Sequence, residues 1–181
     1  FLDELREGSR DDLAHRADGG DDEGGEDPGQ DPAAATKIIR FASTPKRAYA
    51  IADLTPAYAK HAGRVWRGIA LLDRDKVLVQ DEIQAAKPVE LWWFMHTPAS
   101  VGIGSDGRTA TLRQAGAQLR AEILSPAGAK FQVMDAQPLP SSPRPEGQAK
   151  NENVRKLAIH LTGISDSRLA VLLVPESSKD K

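Results

Sequence analysis

The chain of 181 residues contains no cysteine, so neither a disulfide framework nor a thiolate metal site is available to it. Aromatic residues make up only 5%, with two tyrosines, and no apolar run approaches the roughly 20 residues that a membrane helix needs. No G-x-S-x-G elbow occurs. "GIGSDGR" lacks the lysine and following helix of a phosphate-binding loop and reads as a turn. His15, His61, His96 and His160 stand alone, without a second ligand at metal-binding spacing, and nothing in the composition marks a nucleic-acid partner. The first residue is Phe1, with no basic stretch leading into an apolar one, so the sequence reads as a piece of something longer.

What is present is a soluble globular composition, 40% apolar and 28% charged, of a size that suits one domain plus an appendage. The charge is unevenly placed. Residues 1–32 carry twelve acids against Arg6, Arg10 and Arg16, while the remainder holds 21 bases and 14 acids. A basic body behind an acidic leader suits an anionic partner, with the leader as an intramolecular competitor; a solvated surface plus a flexible loop is the plainer account of the same charges. The stretch "DGGDDEGGEDPGQDP" has no apolar residue and is expected to be disordered, and its carboxylates do not follow the calcium-loop spacing. Residues 1–32 thus read as an acidic Gly/Asp-rich flexible insertion, 33–176 as the folded domain, and 177–181 as a charged tail.

From residue 36 short β-type runs alternate with turn residues. Ile38–Phe41, Arg47–Ala52, Arg64–Leu72, Lys76–Ile83, the stretch "VELWWFMHTP", Thr109–Arg113, Ala117–Leu124, Lys130–Met134, Arg155–Leu161 and Arg168–Val174 each have strand length and composition. "DRD" closes a hairpin between the third and fourth. About ten strands without a convincing helix between them predict an all-β fold, an antiparallel β-sandwich. Proline-rich "QPLPSSPRPEGQ" is expected to form a long surface loop.

Two tryptophans, a phenylalanine and a histidine crowd into "VELWWFMHTP", as in a sugar platform with a base or in a buried strand. Alternation puts Leu91, Trp93 and Met95 on one face and Trp92, Phe94 and His96 on the other, so the two indoles cannot form one platform. The pattern predicts a central strand covered on both faces, by the partner sheet on one and by a neighbouring domain on the other. Eliminative cleavage of a uronic acid would need a neutralised carboxylate, a base at C5 and an acid at the leaving oxygen. Tyr49 and Tyr58 are the tyrosines on offer; Tyr58 and His96 are the weak catalytic candidates, each with a plain structural role as turn anchor or strand end. His61 reads as an exposed loop residue, and His160 suits an exposed face or a cleft rim equally.

The ordered series "ADLTPAY", "RVWRGIALLDRDKVLVQDEI", "ELWWFMHTP", "KLAIHLTG" and "RLAVLLVP" resembles the C-terminal β-sandwich of the heparinase II/III-like polysaccharide lyases over about residues 29 to 175. "DPGQDPAAATKIIRF" is similar to the family's entry into that sandwich, from which the acidic leader departs. The resemblance implies a missing N-terminal helical toroid as structural partner and an anionic, uronic-acid-containing polysaccharide such as a glycosaminoglycan or alginate as the whole protein's substrate. It also implies β-elimination as the reaction and a periplasmic or secreted location. The family's catalytic residues and its structural zinc or calcium lie upstream of the matched region, so no cofactor and no catalytic role is expected in this chain, and His96 matches a strand position. Arg64, Arg67 and Lys87 are the candidates for touching an acidic sugar. An autonomous carbohydrate-binding module, which would need exposed rings, and a purely structural sandwich, which would need an exposed apolar patch, are the alternatives.

Overall fold

The structure is a computed structural model that describes residues 30–140, 142, 147 and 151–176. The acidic leader up to residue 29 and the tail 177–181 lie outside the described residues. Nine strands form one antiparallel sheet: β1 (Lys37–Ser43), β2 (Arg47–Asp53), β3 (Arg64–Leu72), β4 (Lys76–Thr97), β5 (Ser100–Ile103), β6 (Thr109–Gln114), β7 (Ala117–Ser125), β8 (Phe131–Asp135) and β9 (Arg155–Glu176). Their order is β1-β2-β3-β4-β9-β7-β6-β5, with β8 paired to β9 off this path. A single 3-10 turn, Thr55–Tyr58, is the helical element among the described residues. The all-β prediction holds.

Two features differ from the sequence reading. Lys76–Ile83 and the tryptophan stretch are one strand of 22 residues, and so are Arg155–Leu161 and Arg168–Val174. The short strand β5 went unpredicted because its four residues include Gly102 and lack alternation. The breaks in pattern that suggest separate strands are corners. Gln84 pairs with Asp166 and Val89 with Ile164, so Ala85–Pro88 are looped out opposite Ser165 alone. Pro88 has no N–H for a ladder and suits a bulge. On β9, Gly163 at φ +67 takes the left-handed conformation that the matching irregularity requires, in open space.

These corners turn one sheet into a sandwich. Before the corner, β4 pairs with β3 and with the second half of β9; after it, β4 pairs with the first half of β9, and β8 lies on the far side of β9. The layer of β4, β9 and β8 beyond the corner packs over β5, β6, β7 and the second half of β9. Trp93, Phe131, Leu157 and Ile159 from the upper layer meet Ala110, Leu112, Ala121, Ile123, Leu169 and Val171 from the lower. This is how strands that switch sheets at bulges build the corner of a packed pair of sheets.

Turn chemistry agrees with the ladder. Asp73 and Arg74 have φ values of 51 and 57 in the β3–β4 hairpin, and Arg74 is tied back to the Thr44 carbonyl and the Ser43 hydroxyl. The predicted "DRD" hairpin is therefore present, with Leu72 opposite Lys76.

The tryptophan strand is not covered on both faces. Leu91, Trp93 and Met95 do point into the core, with Trp93 only 5% exposed. Trp92 and Phe94 are half-buried on the other face and His96 is exposed. Nor is this half of β4 a central strand among the described residues, because β3 ends its pairing at Gln84 and none of them pairs with the other edge of residues 89–97.

Leu157 is completely buried at the junction of the two layers, whereas Leu124 is 48% exposed. Leu157→Ala should cost about 2–5 kcal/mol in urea denaturation, and Leu124→Ala less than about 1 kcal/mol. Equal losses would contradict the layer assignment.

Candidate functional site

The open edge of β4 borders a cleft of about 580 Å³. Its lower wall is the lower sheet, with Val65 and Arg67 from β3 and Asp81 and Ile83 from β4; its upper wall is β4 after the corner, from Val89 to Phe94. Leu54, Tyr58, His61 and Ala62 close one end, and Leu139 and Ser142 of the proline-rich loop reach its rim.

The end wall is set by local chemistry. Asp53 accepts the Thr55 N–H at 2.9 Å and the Thr55 hydroxyl accepts the Val65 N–H at 3.0 Å, so the loop after β2 folds back onto the start of β3. Pro56 fits the first turn of the 3-10 segment, and Ala62 is buried beneath it. Tyr58 is thereby presented to the cleft, where its hydroxyl accepts a hydrogen bond from the Gln30 amide. The Asp31 N–H donates to the Ala57 carbonyl at 2.9 Å, so the chain enters the described fold at the cleft.

On the lower wall, Arg67 makes a bidentate pair with Asp81, Nε to Oδ1 at 2.6 Å and Nη2 to Oδ2 at 2.8 Å. The two are direct cross-strand neighbours of the β3–β4 hairpin. Asp81 is buried, and its hydrogen bond holds the Arg67 guanidinium above its ordinary pKa against the opposing effect of burial, with smaller contributions from the charges of Asp81 and Tyr58. The cation is neutralised where it stands.

The upper layer carries a second cluster on its outer face. Trp92 and His160 are cross-strand partners whose rings stack at 3.9 Å with an interplanar angle of 7°. Glu90 Oε1 accepts from Trp92 Nε1 at 3.0 Å and from His160 Nε2 at 2.6 Å. Phe94 lies beside Trp92 with centroids 5.6 Å apart, and Lys156 Nζ sits 4.4 Å above the Phe94 ring. Lys156 is only 3% exposed and donates to the Gln137 carbonyl at 2.6 Å; loss of hydration lowers its pKa. The proline-rich loop begins by fastening onto this face.

Of the predicted residues, Tyr58 and Arg67 meet at the cleft. Arg64 does not: alternation sends it to the opposite face of β3, over the Trp66 ring at 5.0 Å and 3.7 Å from Glu82. Glu82 is approached by Arg168 as well, at 3.6 Å. Lys87 is exposed at the corner and His96 on the outer face near Phe94. His61 is exposed and lines the cleft mouth. His15 lies outside the described residues. Sequence reasoning missed Glu90, Asp81 and Gln30. The Arg67–Asp81 pair was within reach, since the "DRD" turn fixes the register that sets 67 against 81; the Gln30–Tyr58 contact carries no sequence signal.

Of the three indoles, Trp93 is in the core, while the half-buried Trp92 has His160 stacked on it and the half-buried Trp66 has Arg64 over its ring. No group of three or more His, Asp or Glu among the described residues is placed to hold a metal ion. No helix among them is long and apolar enough to cross a membrane. Chemically, the cleft offers apolar walls, the paired Arg67 and Asp81, the Tyr58 hydroxyl accepting from Gln30, and the exposed His61 at its mouth.

No family model and no curated protein sequence matches the chain. Solved structures do. A heparan sulfate lyase, HepC, from Pedobacter heparinus superposes on 81% of this chain with a TM-score of 0.61 at 8% identity. Two heparinase III structures superpose on 78% of it, with TM-scores of 0.60 and 0.59 at 10% and 9% identity. In fold the chain resembles part of a heparinase III, and it spans about a fifth of the length of these structures, 22% and 21%.

Removing Arg67 would strand Asp81 in a buried position. Arg67→Ala should lower stability by about 1–2 kcal/mol, because the arginine is itself partly exposed, and adding Asp81→Ala should return part of that loss; additive losses in denaturant titrations would contradict the pairing. Lys156, with its folded pKa below the ordinary 10.5, binds fewer protons folded than unfolded in the window just beneath that value, so stability rises there with pH. A Lys156→Met chain should lack that rise when the two are compared by thermal unfolding.

Proposed function

We propose that the chain is the C-terminal β-sandwich of a longer polysaccharide lyase, one that cleaves uronic-acid-containing chains by β-elimination outside the cytoplasm. The sandwich supports a helical catalytic domain and does not turn over substrate alone. The observation that supports this reading is the superposition of four-fifths of the chain on about a fifth of a heparan sulfate lyase, a likeness of fold to one part of a longer protein.

The cleft supports the non-catalytic part of the reading. β-Elimination needs a base free to take the C5 proton and an acid free to protonate the leaving oxygen. Here the arginine that lines the cleft, Arg67, is already paired with Asp81 and His160 with Glu90, which argues against a cation committed to a uronate carboxylate; the Tyr58 hydroxyl, accepting from Gln30, keeps its own proton, and His61 lies exposed at the cleft mouth. In this reading Lys87, exposed at the corner, would touch an acidic sugar, and Arg67, partly exposed at the cleft, would do so only through the guanidinium edge that Asp81 leaves free. Arg64, on the other face, is placed for a different surface.

The test is an assay of the 181-residue chain and of the longer protein on heparan sulfate and alginate, following the ultraviolet absorbance of the unsaturated uronate product. The longer protein should produce it and the chain alone should not. Product formed by the chain alone, or by neither on any uronate polymer, would overturn the reading.

A further inference from the structure

The layer that covers the core is incomplete. Its strands run β8, β9, β4, and after the corner β4 has no strand on its far side among the described residues. Below and beyond that open edge the lower sheet continues through β3, β2 and β1. The register aligns Ile123, Val171, Val79, Ile69, Ala50 and Phe41 in one row across the sheet, on one face. Along that row exposure climbs from 1% at Ile123 and 0% at Val171 to 49% at Ile69 and 79% at Phe41. Ile38, one row over and opposite Ala52, is 63% exposed. Ala48, Ala50 and Ala52 make β2 a low floor between the larger side chains of β1 and β3. The core face therefore runs out from under its cover as an apolar trough.

Two unsatisfied features meet at this place. One is a strand edge, residues 89–97, whose outward N–H and C=O groups lack a ladder partner. The other is the apolar trough, which continues the same face of the lower sheet from Val65 and Arg67 at the cleft through Ile69 to Ala50 and Phe41. A helix laid in the trough would cover Phe41 and Ile69 but leave the edge unpaired. A strand satisfies both at once.

The geometry points to an extended strand of the same longer polypeptide, paired with the open edge of β4 and turning alternate apolar side chains down onto Ile69, Ala50 and Phe41, so that the upper layer is completed over β3 to β1. The chain needed is available in cis, since the structures that share this fold are about five times as long as the part matched. The backbone also enters the fold at this cleft, with Gln30 on Tyr58 and Asp31 on Ala57. The inference rests on the reading that the chain is part of a longer protein and not on that protein's being a lyase. It makes the cleft a seam.

The test uses the longer protein, freed of any other cysteine, with Phe41→Cys, Ile69→Cys or Leu124→Cys introduced singly; this chain has no cysteine of its own. Leu124 is about as exposed as Ile69 in the chain but faces away from the trough, and serves as the reference. The thiols at 41 and 69 should react with a maleimide at least about tenfold more slowly than the one at 124, and the edge amides of residues 89–97 should exchange as slowly as those of Leu157–Ile159. Thiols that all react alike would overturn the inference. Protected thiols with edge amides exchanging as fast as those of the open strand β5 would also overturn it, by showing a cover that is not a strand. Loss of lyase activity with protection intact would count against the proposed function alone.

Discussion

Everything in this structure follows from the paired corner in β4 and β9. Two strands of 22 residues each would be far too long to serve one flat sheet of this size, and the bulge at Ala85–Pro88 opposite a left-handed Gly163 lets each of them serve two layers. The corner gives the core its two walls, with Leu157 and Ile159 above and Leu169 and Val171 below on the same strand. It also detaches β4 from β3, which opens the cleft and leaves one edge of the tryptophan strand without a neighbour among the described residues. A single irregularity of pairing thus sets both what is packed and what is left bare.

The electrostatics follow the same economy. The chain's basic body invites the expectation of an anion-binding face, yet the cations that come near the cleft and the sheet faces are matched locally: Arg67 by Asp81, Arg64 and Arg168 by Glu82, Arg120 by Glu122 and Glu176. For the buried carboxylates Asp81 and Glu82 burial makes this necessary, since unpaired they would lose hydration without recompense; the Arg120 pairs are about a third exposed and owe their pairing to proximity along β7 and across to β9. What net positive charge remains is on exposed residues such as Lys37, Lys60 and Lys87.

Much of the fold was legible in the sequence. Alternation located nearly every strand, the "DRD" hairpin, and the division of Trp92 from Trp93 between two faces. It failed where continuity depends on tertiary contacts: Lys87-Pro88 and Thr162-Gly163 read as breaks because they interrupt the local pattern, although the strands run through them. The second cover expected for the tryptophan strand was a neighbouring domain, and the described residues leave Trp92 and Phe94 half-buried on that face. The site was less legible still. The Arg67–Asp81 pair was implied by the hairpin register, but the Trp92, His160 and Glu90 cluster joins residues far apart in sequence, and only the antiparallel pairing of β4 with β9 brings them together.

If the chain is the supporting unit proposed above, it should not grip the polymer by itself: the arginine lining its cleft is paired with Asp81, and His160 and Arg64 lie against Trp92 and Trp66. The most direct check is to titrate the isolated 181-residue chain with heparan sulfate oligosaccharides at physiological salt while following tryptophan fluorescence. With Trp93 in the core and Trp92 and Trp66 faced by His160 and Arg64, the account predicts no saturable change in emission. A saturable shift, abolished by Trp92→Ala, would show that the chain binds sugar on its own and would contradict it.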